Sequence, residues 1–133
     1  MIILLDTNVL IAAFIARGAC HELLEHCVRR HGLVTSRFII GEFQDRLSNK
    51  FKHEPEEVNE AVNLLLSRMK VVEPPTLKHS VCRDPDDDNV LAAAVKGKCN
   101  CIITGDKDLI VLKQYEGIDI LSPKSFREYE ERK

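Results

Sequence analysis

The chain has no tryptophan and only 5% aromatic residues, so few rings are available for stacking on bases. It has no apolar run near the ~20 residues that a membrane helix needs. Met1 leads straight into Ile2-Ile3-Leu4-Leu5, with no basic stretch or cleavage signal, and a cytoplasmic location is expected. Polar low-complexity tracts, internal repeats and linkers are missing too, and 133 residues are enough for one real core but too few for two, so residues 1–133 are read as a single domain. Five cysteines cannot all pair with one another. Neither Cys99-Asn100-Cys101 nor Cys20 with Cys27 has zinc-ribbon spacing, which leaves reduced core thiols as their expected use. The formal charge of -2 gives no overall sign of nucleic-acid binding, although a carboxylate-rich site would mask a basic rim in that sum. His21, His26, His31, His53 and His79 are scattered without triad-like partners and read as surface or packing residues.

What is present alternates strand-like and helix-like stretches. Ile2–Leu5 is a continuous apolar run of the kind buried on both faces of a sheet, ended by Asp6-Thr7-Asn8. Helical periodicity follows over Val9–Ile15 and Ala19–Arg30, broken by Gly18. Leu33–Thr35 is a second strand. Ser36 can cap a helix with the stripe Ile40, Phe43, Leu47 and Phe51, bordered by Glu42, and Gly41 inside it predicts close approach of another group. Pro55 opens a further helix, and Lys70–Val72 is a third strand ended by Pro74-Pro75. Cys101–Thr104 is a fourth strand running into Gly105-Asp106-Lys107-Asp108. A short helix over Leu109–Tyr115, a last strand over Ile118–Leu121 and a terminal helix from Ser122-Pro123 complete the chain. Such alternation implies right-handed crossovers and an α/β fold: a three-layer α/β/α sandwich around a parallel sheet of about five strands, in the order 3-2-1-4-5.

The most charged stretch, Arg83 to Val95, reads RDPDDDNVLAAAV. Two like charges about 4 Å apart repel by about 4 kcal/mol at an effective dielectric near 20, so these acids need spacing, protons or a cation. Asp84 fits an N-cap and Pro85 the first helical position, with Gly97 as the stop. In that register Asp88, Leu91, Ala92 and Val95 share one face, and Asp86, Asn89, Ala93 and Lys96 the other, so Asp88 is expected to top the buried stripe and Asp86 to face solvent. Taken alone, these acids could simply cap the helix and complement its dipole.

Asp6 and Asp106, however, each follow a strand, and in open parallel sheets ligands bind at the carboxyl ends of strands where the strand order reverses. With Glu42 on the helix after strand two and Asp88 on the helix leading into strand four, four carboxylates converge on one crevice. Hard oxygen ligands without clustered histidine or cysteine favour Mg²⁺ or Mn²⁺ over zinc. Each acid also has a structural use available to it: Asp6 as a helix cap, Glu42 as a solvated flank, Asp106 in an Asx-turn.

These residues resemble the motifs of the PIN-domain nucleases. Ile2-Ile3-Leu4-Leu5-Asp6-Thr7-Asn8-Val9-Leu10 is similar to that family's opening motif, Glu42 to its second acid, Asp88 in Asp-Asn-Val-Leu-Ala-Ala-Ala to its third, and Asp106 in Ile-Ile-Thr-Gly-Asp-Lys-Asp-Leu to its fourth. The Arg-Asp-Pro-Asp-Asp-Asp run resembles a prokaryotic subgroup of toxin-antitoxin toxins. The resemblance implies a metal-dependent endoribonuclease acting on single-stranded RNA, usually a homodimer, held inactive by an antitoxin.

One or two divalent ions can supply both an activated water and phosphate charge stabilisation. Asp6, Glu42, Asp88 and Asp106 are the expected catalytic metal ligands, with Thr7, Asn8, Asp84, Thr104 and Asp108 as auxiliaries. Arg17, Arg37, Arg46, Lys50 and Lys52 are expected to guide the RNA backbone. Two other readings stay open: a non-catalytic RNA-binding or scaffold domain of the same fold, and a receiver-type phosphoacceptor, which needs an acceptor Asp after a middle strand where this chain has Val72-Glu73-Pro74-Pro75.

Overall fold

The computed structural model describes residues 1–75, 77 and 79–133. Its elements run β1 (Ile2–Leu5), α1 (Thr7–Ile15), α2 (Ala19–Arg30), β2 (Gly32–Ser36), α3 (Arg37–Asn49), α4 (Pro55–Arg68), β3 (Lys70–Val72), α5 (Pro85–Lys96), β4 (Cys101–Ile103), α6 (Lys107–Ile110), β5 (Gln114–Tyr115), β6 (Ile118–Leu121) and α7 (Pro123–Glu131). The continuous apolar runs become the middle of the sheet: Ile3, Leu4, Leu5, Cys101, Ile102 and Ile103 are all buried, and β1 pairs in parallel with β2 on one side and β4 on the other. The full order is β3-β2-β1-β4-β6-β5. The chain steps from β1 to β2 to β3, then returns across β1 to β4. Right-handed crossovers therefore put α1 to α4 on one face and α5 on the other. In agreement, α1 packs on α2 and α3, and α3 on α4. Among the described residues no helix is long and apolar enough to cross a membrane.

The sheet has six strands rather than about five, because Leu109–Tyr115 does not continue as a helix. The helical turn stops at Ile110, Lys113 takes a left-handed φ of 62°, and Gln114–Tyr115 pair antiparallel with β6 as an edge strand. Glu116 and Gly117, with φ of 47° and 80°, form the two-residue turn between them. Two consecutive positive φ values match the twist of a tight hairpin.

Two glycines differ in role. A Cβ on Gly97 would lie 2.6 Å from Val34 Cγ1, so glycine lets the end of α5 press against β2. A Cβ on Gly41 would meet nothing within 4 Å, which overturns the close approach expected there. Cys27, Cys99 and Cys101 are buried free thiols, and burial pushes each up to about 12, far from a reactive thiolate.

Candidate metal centre

The strand order reverses between β1 and β4, and the chain places an acid just beyond each. Asp6 leaves β1 and caps α1, its Oδ1 accepting from Thr7 N at 2.7 Å. Its other oxygen accepts from the buried Thr104 hydroxyl at 2.7 Å, and Thr104 Oγ1 in turn accepts from Asp106 N at 3.0 Å. One hydroxyl thus ties together the ends of the two central strands. Asp106 caps α6 through Asp108 N at 2.8 Å. From α3, Glu42 accepts from the Thr7 hydroxyl at 2.8 Å, and Arg46 one turn later reaches both Glu42, at 3.5 Å, and Asn8. Asp6, Glu42 and Asp106 therefore share one crevice. Capping and clustering are not alternatives here, because Asp6, Asp84 and Asp106 all cap helices while their charges all bear on Asp87.

The α5 register differs from the sequence expectation by one residue. Buried on α5 are Asp87, Val90, Leu91, Ala92, Ala93 and Ala94, whereas Val95 is 38% exposed. Asp87, not Asp88, enters the crevice. Asp88 turns back to its own approach loop, where it accepts from Cys82 N at 2.9 Å and Val81 N at 3.2 Å. The physical reason is that Asp87, Val90, Leu91 and Ala94 obey the same i, i+3, i+4, i+7 rule, and this stripe also carries Gly97 against β2. No local signal in the sequence separates the two stripes; the tertiary contact of Gly97 with Val34 does.

Asp87 is 6% exposed and its Oδ2 is buried without a hydrogen-bond partner among the described residues. Carboxylate oxygens of Asp87, Asp106 and Asp108 lie within 4.8 Å of one another. Burial foremost, then the charge of Asp106, pushes the Asp87 carboxyl up to about 7. Asp6 and Glu42 are also raised, chiefly by burial, although Thr104 opposes the shift at Asp6 and Thr7 and Arg46 oppose it at Glu42. This site is short of positive charge. An orphaned buried carboxylate oxygen beside other acids, with an all-oxygen donor set, fits Mg²⁺ or Mn²⁺. Asp84 caps α5 through Asp86 N at 2.9 Å and adds repulsion at Asp87, while Asp86 is exposed yet close enough to raise Glu42.

The cations expected around RNA are dispersed. Arg46 sits at the crevice. Arg37 pairs with Glu73 on the surface, Lys50 lies 5.6 Å from the Phe51 ring centre, Lys52 is exposed, and Arg17 lines a groove between α2 and α4. Arg83, which composition did not single out, donates to Asp108 at 2.8 Å and adds a cation to the rim.

A family model described as the PIN domain matches residues 2–108, more than three quarters of the chain and a span that includes Asp6, Glu42, Asp87, Asp106 and Asp108. The chain belongs to the PIN-domain family. An uncharacterized protein of Methanocaldococcus jannaschii is 33% identical over 116 residues, covering 84% of this chain and 74% of that protein. Three solved structures share the fold. VapBC-1 of nontypeable Haemophilus influenzae aligns with a TM-score of 0.65 at 19% identity, covering 93% of this PIN domain chain and 99% of that one. VapC20 of Mycobacterium tuberculosis, a sarcin-ricin loop cleaving toxin, gives 0.64 at 18%, covering 86% and 97%. VapBC2 of Rickettsia felis, bound to a promoter DNA fragment, gives 0.63 at 16%, covering 90% and 97%. The PIN-like sheet also removes the receiver-type reading. A receiver's doubly wound sheet has order 2-1-3-4-5, whereas here β1 lies between β2 and β4 and β3 is at the edge.

Proposed function

We propose that this protein is a Mg²⁺- or Mn²⁺-dependent endoribonuclease that cleaves single-stranded RNA, and that it is the toxin of a toxin-antitoxin pair. The observation that carries the reading is the Asp87 carboxylate, buried, with one oxygen unpartnered among the described residues, beside Asp106 and Asp6 at the carboxyl ends of the central strands of a PIN domain. Asp6, Asp87 and Asp106 would hold the ion, with Glu42 and Asp108 completing the oxygen set directly or through water. Asp88, the acid assigned from sequence, is a support of the loop before α5 in this reading. When bound, the ion supplies Lewis acidity toward a phosphodiester and lowers the pKa of nearby water.

The chain's own residues prepare that site. Thr104 fixes Asp6 and the start of the Asp106 turn with one hydroxyl, while Thr7 and Arg46 aim Glu42 into the crevice and Asn8 steadies Arg46. Arg83 and Arg46 place guanidinium groups on the rim, where a phosphate backbone can meet them. Arg17, Arg37, Lys50 and Lys52 extend the path for RNA more remotely. The toxin assignment draws support from similar solved structures that are VapBC proteins; an antitoxin partner, a homodimer, a cytoplasmic location and a single domain over residues 1–133 are part of the same proposal.

The test is cleavage of a fluorescent single-stranded RNA with millimolar Mn²⁺, against the same reaction with EDTA and against duplex RNA. Metal-dependent cleavage within the single strand is the expected result. No cleavage of several unrelated sequences, by a folded protein that binds Mn²⁺, would favour the non-catalytic binding reading.

A further inference from the structure

The two histidines that looked unrelated in sequence meet at the other end of the sheet. His26 lies just before the last turn of α2, His31 caps that helix immediately before β2, and Glu130 lies in the last turn of α7, 104 and 99 residues away from them. His26 Nε2 is 2.8 Å from Glu130 Oε2, and His31 Nε2 contacts the same oxygen. The three ligand atoms lie within 4.8 Å of one another, and the rings stand edge to face with centroids 5.9 Å apart. This edge carries the amino ends of the parallel strands, whereas the acid crevice lies at the carboxyl ends, roughly 13 Å further along β1 at 3.3 Å per residue.

We infer that His26, His31 and Glu130 form a second metal site, for zinc or a similar borderline transition ion. Two imidazole nitrogens with one carboxylate are a zinc donor set and a poor one for Mg²⁺, which prefers oxygen and keeps its waters. Tetrahedral ligands about 2.0–2.2 Å from zinc stand about 3.3 Å apart, so a modest spreading of this trio makes room for the ion. His31 is nearly buried, its side chain 10% exposed, and its ring packs edge-on against Phe126 with centroids 5.9 Å apart, which fixes its aim. His26 and Glu130 are 37% and 26% exposed, which leaves a path for the ion and a fourth position for water. The site ties the last helix to the strand layer. Glu130 lies beyond residues 2–108, so this site is no part of the family match, and it does not depend on the nuclease reading.

The experiment is zinc titration of the full chain against a chromophoric chelator, carried out in an Asp87→Asn background to weaken the acid crevice, with melting and histidine nitrogen resonances followed in parallel. One equivalent of Zn²⁺ per chain is expected, with shifts of the Nε2 signals of His26 and His31 and a rise in melting temperature. His26→Ala, at a half-exposed position that should not disturb folding, is expected to weaken binding at least tenfold and remove the thermal shift. An equivalent of zinc that survives His26→Ala overturns the site, as does no binding at 100 µM Zn²⁺ with unmoved Nε2 signals, which would leave the trio an ion-paired cluster only.

Discussion

Replacing Asp87 by asparagine is expected to stabilise the metal-free protein at pH 8 and to do so by only about a third as much at pH 5. The Asp87 carboxyl is buried, has an unpartnered oxygen, and is pushed up to about 7 in the folded state. An acid whose folded pKa lies above its unfolded value of about 3.9 favours folding while protonated. Between about pH 4 and 7 the folded chain holds a proton that the unfolded chain has released, so stability falls as pH rises through that window. Three pH units at about 1.36 kcal/mol each set a ceiling of about 4 kcal/mol. Sharing of charge with Asp106 and local relaxation bring the expected gain down to about 2 kcal/mol, part of which comes from the asparagine amide donating to Asp106 where an ionised Asp87 only repels it. For a chain of this length that corresponds to a rise in melting temperature of roughly 6–10 °C. Asp6 and Glu42, raised by burial, add pH dependence of the same sign to parent and variant alike. Mn²⁺ should invert the ranking, adding about 2.7 kcal/mol to the parent at a hundredfold excess over its dissociation constant and much less to the variant. Calorimetric melts at pH 5 and 8, in EDTA and in Mn²⁺, give all four numbers. A variant no more stable than the parent at pH 8 in EDTA, or a gap independent of pH, would refute the charge argument.

Asp88→Ala should cost about 1–2 kcal/mol in urea denaturation, since it strips the acceptor from Val81 N and Cys82 N without opening the core. Gly97→Ala should destabilise by about 1–3 kcal/mol, because its new methyl would sit 2.6 Å from Val34 Cγ1 in a packed layer. Gly41→Ala, facing open space on α3, should instead stabilise by about 0.5–1 kcal/mol in the same assay through helix propensity alone.

The sheet was legible because fully buried parallel strands leave short unbroken apolar runs, as Ile2–Leu5 and Cys101–Ile103 do, each followed at once by polar residues. From the strand order, the crevice beyond β1 and β4 followed. The face of α5 was not legible. Leu91 belongs to both candidate stripes, and alanines at 92, 93 and 94 can be buried in either register, so local periodicity has two solutions and contact with Val34 selects one. A cap signal at Asp84 fixes where the helix starts but not which of three successive acids turns inward. The hairpin at Glu116-Gly117 was hidden because only Gly117 advertises a positive φ, while Lys113 and Glu116 adopt theirs under the demands of the sheet edge. Gly41 misled for the opposite reason: in sequence a glycine signals either close approach or open space, and here it is open space. The meeting of His26 and His31 with Glu130 depends on how α7 docks through Phe126 and Tyr129, a tertiary contact with no local signature.

The most direct measurement is the rate of single-stranded RNA cleavage in Mn²⁺ by the parent, Asp87→Asn and Asp88→Asn proteins, each first shown to be folded. A metal cage built on Asp87 predicts a loss of several orders of magnitude for Asp87→Asn and a rate within about tenfold of the parent for Asp88→Asn, whose amide oxygen can still accept from the loop. Loss of activity in Asp88→Asn with activity kept in Asp87→Asn would contradict it.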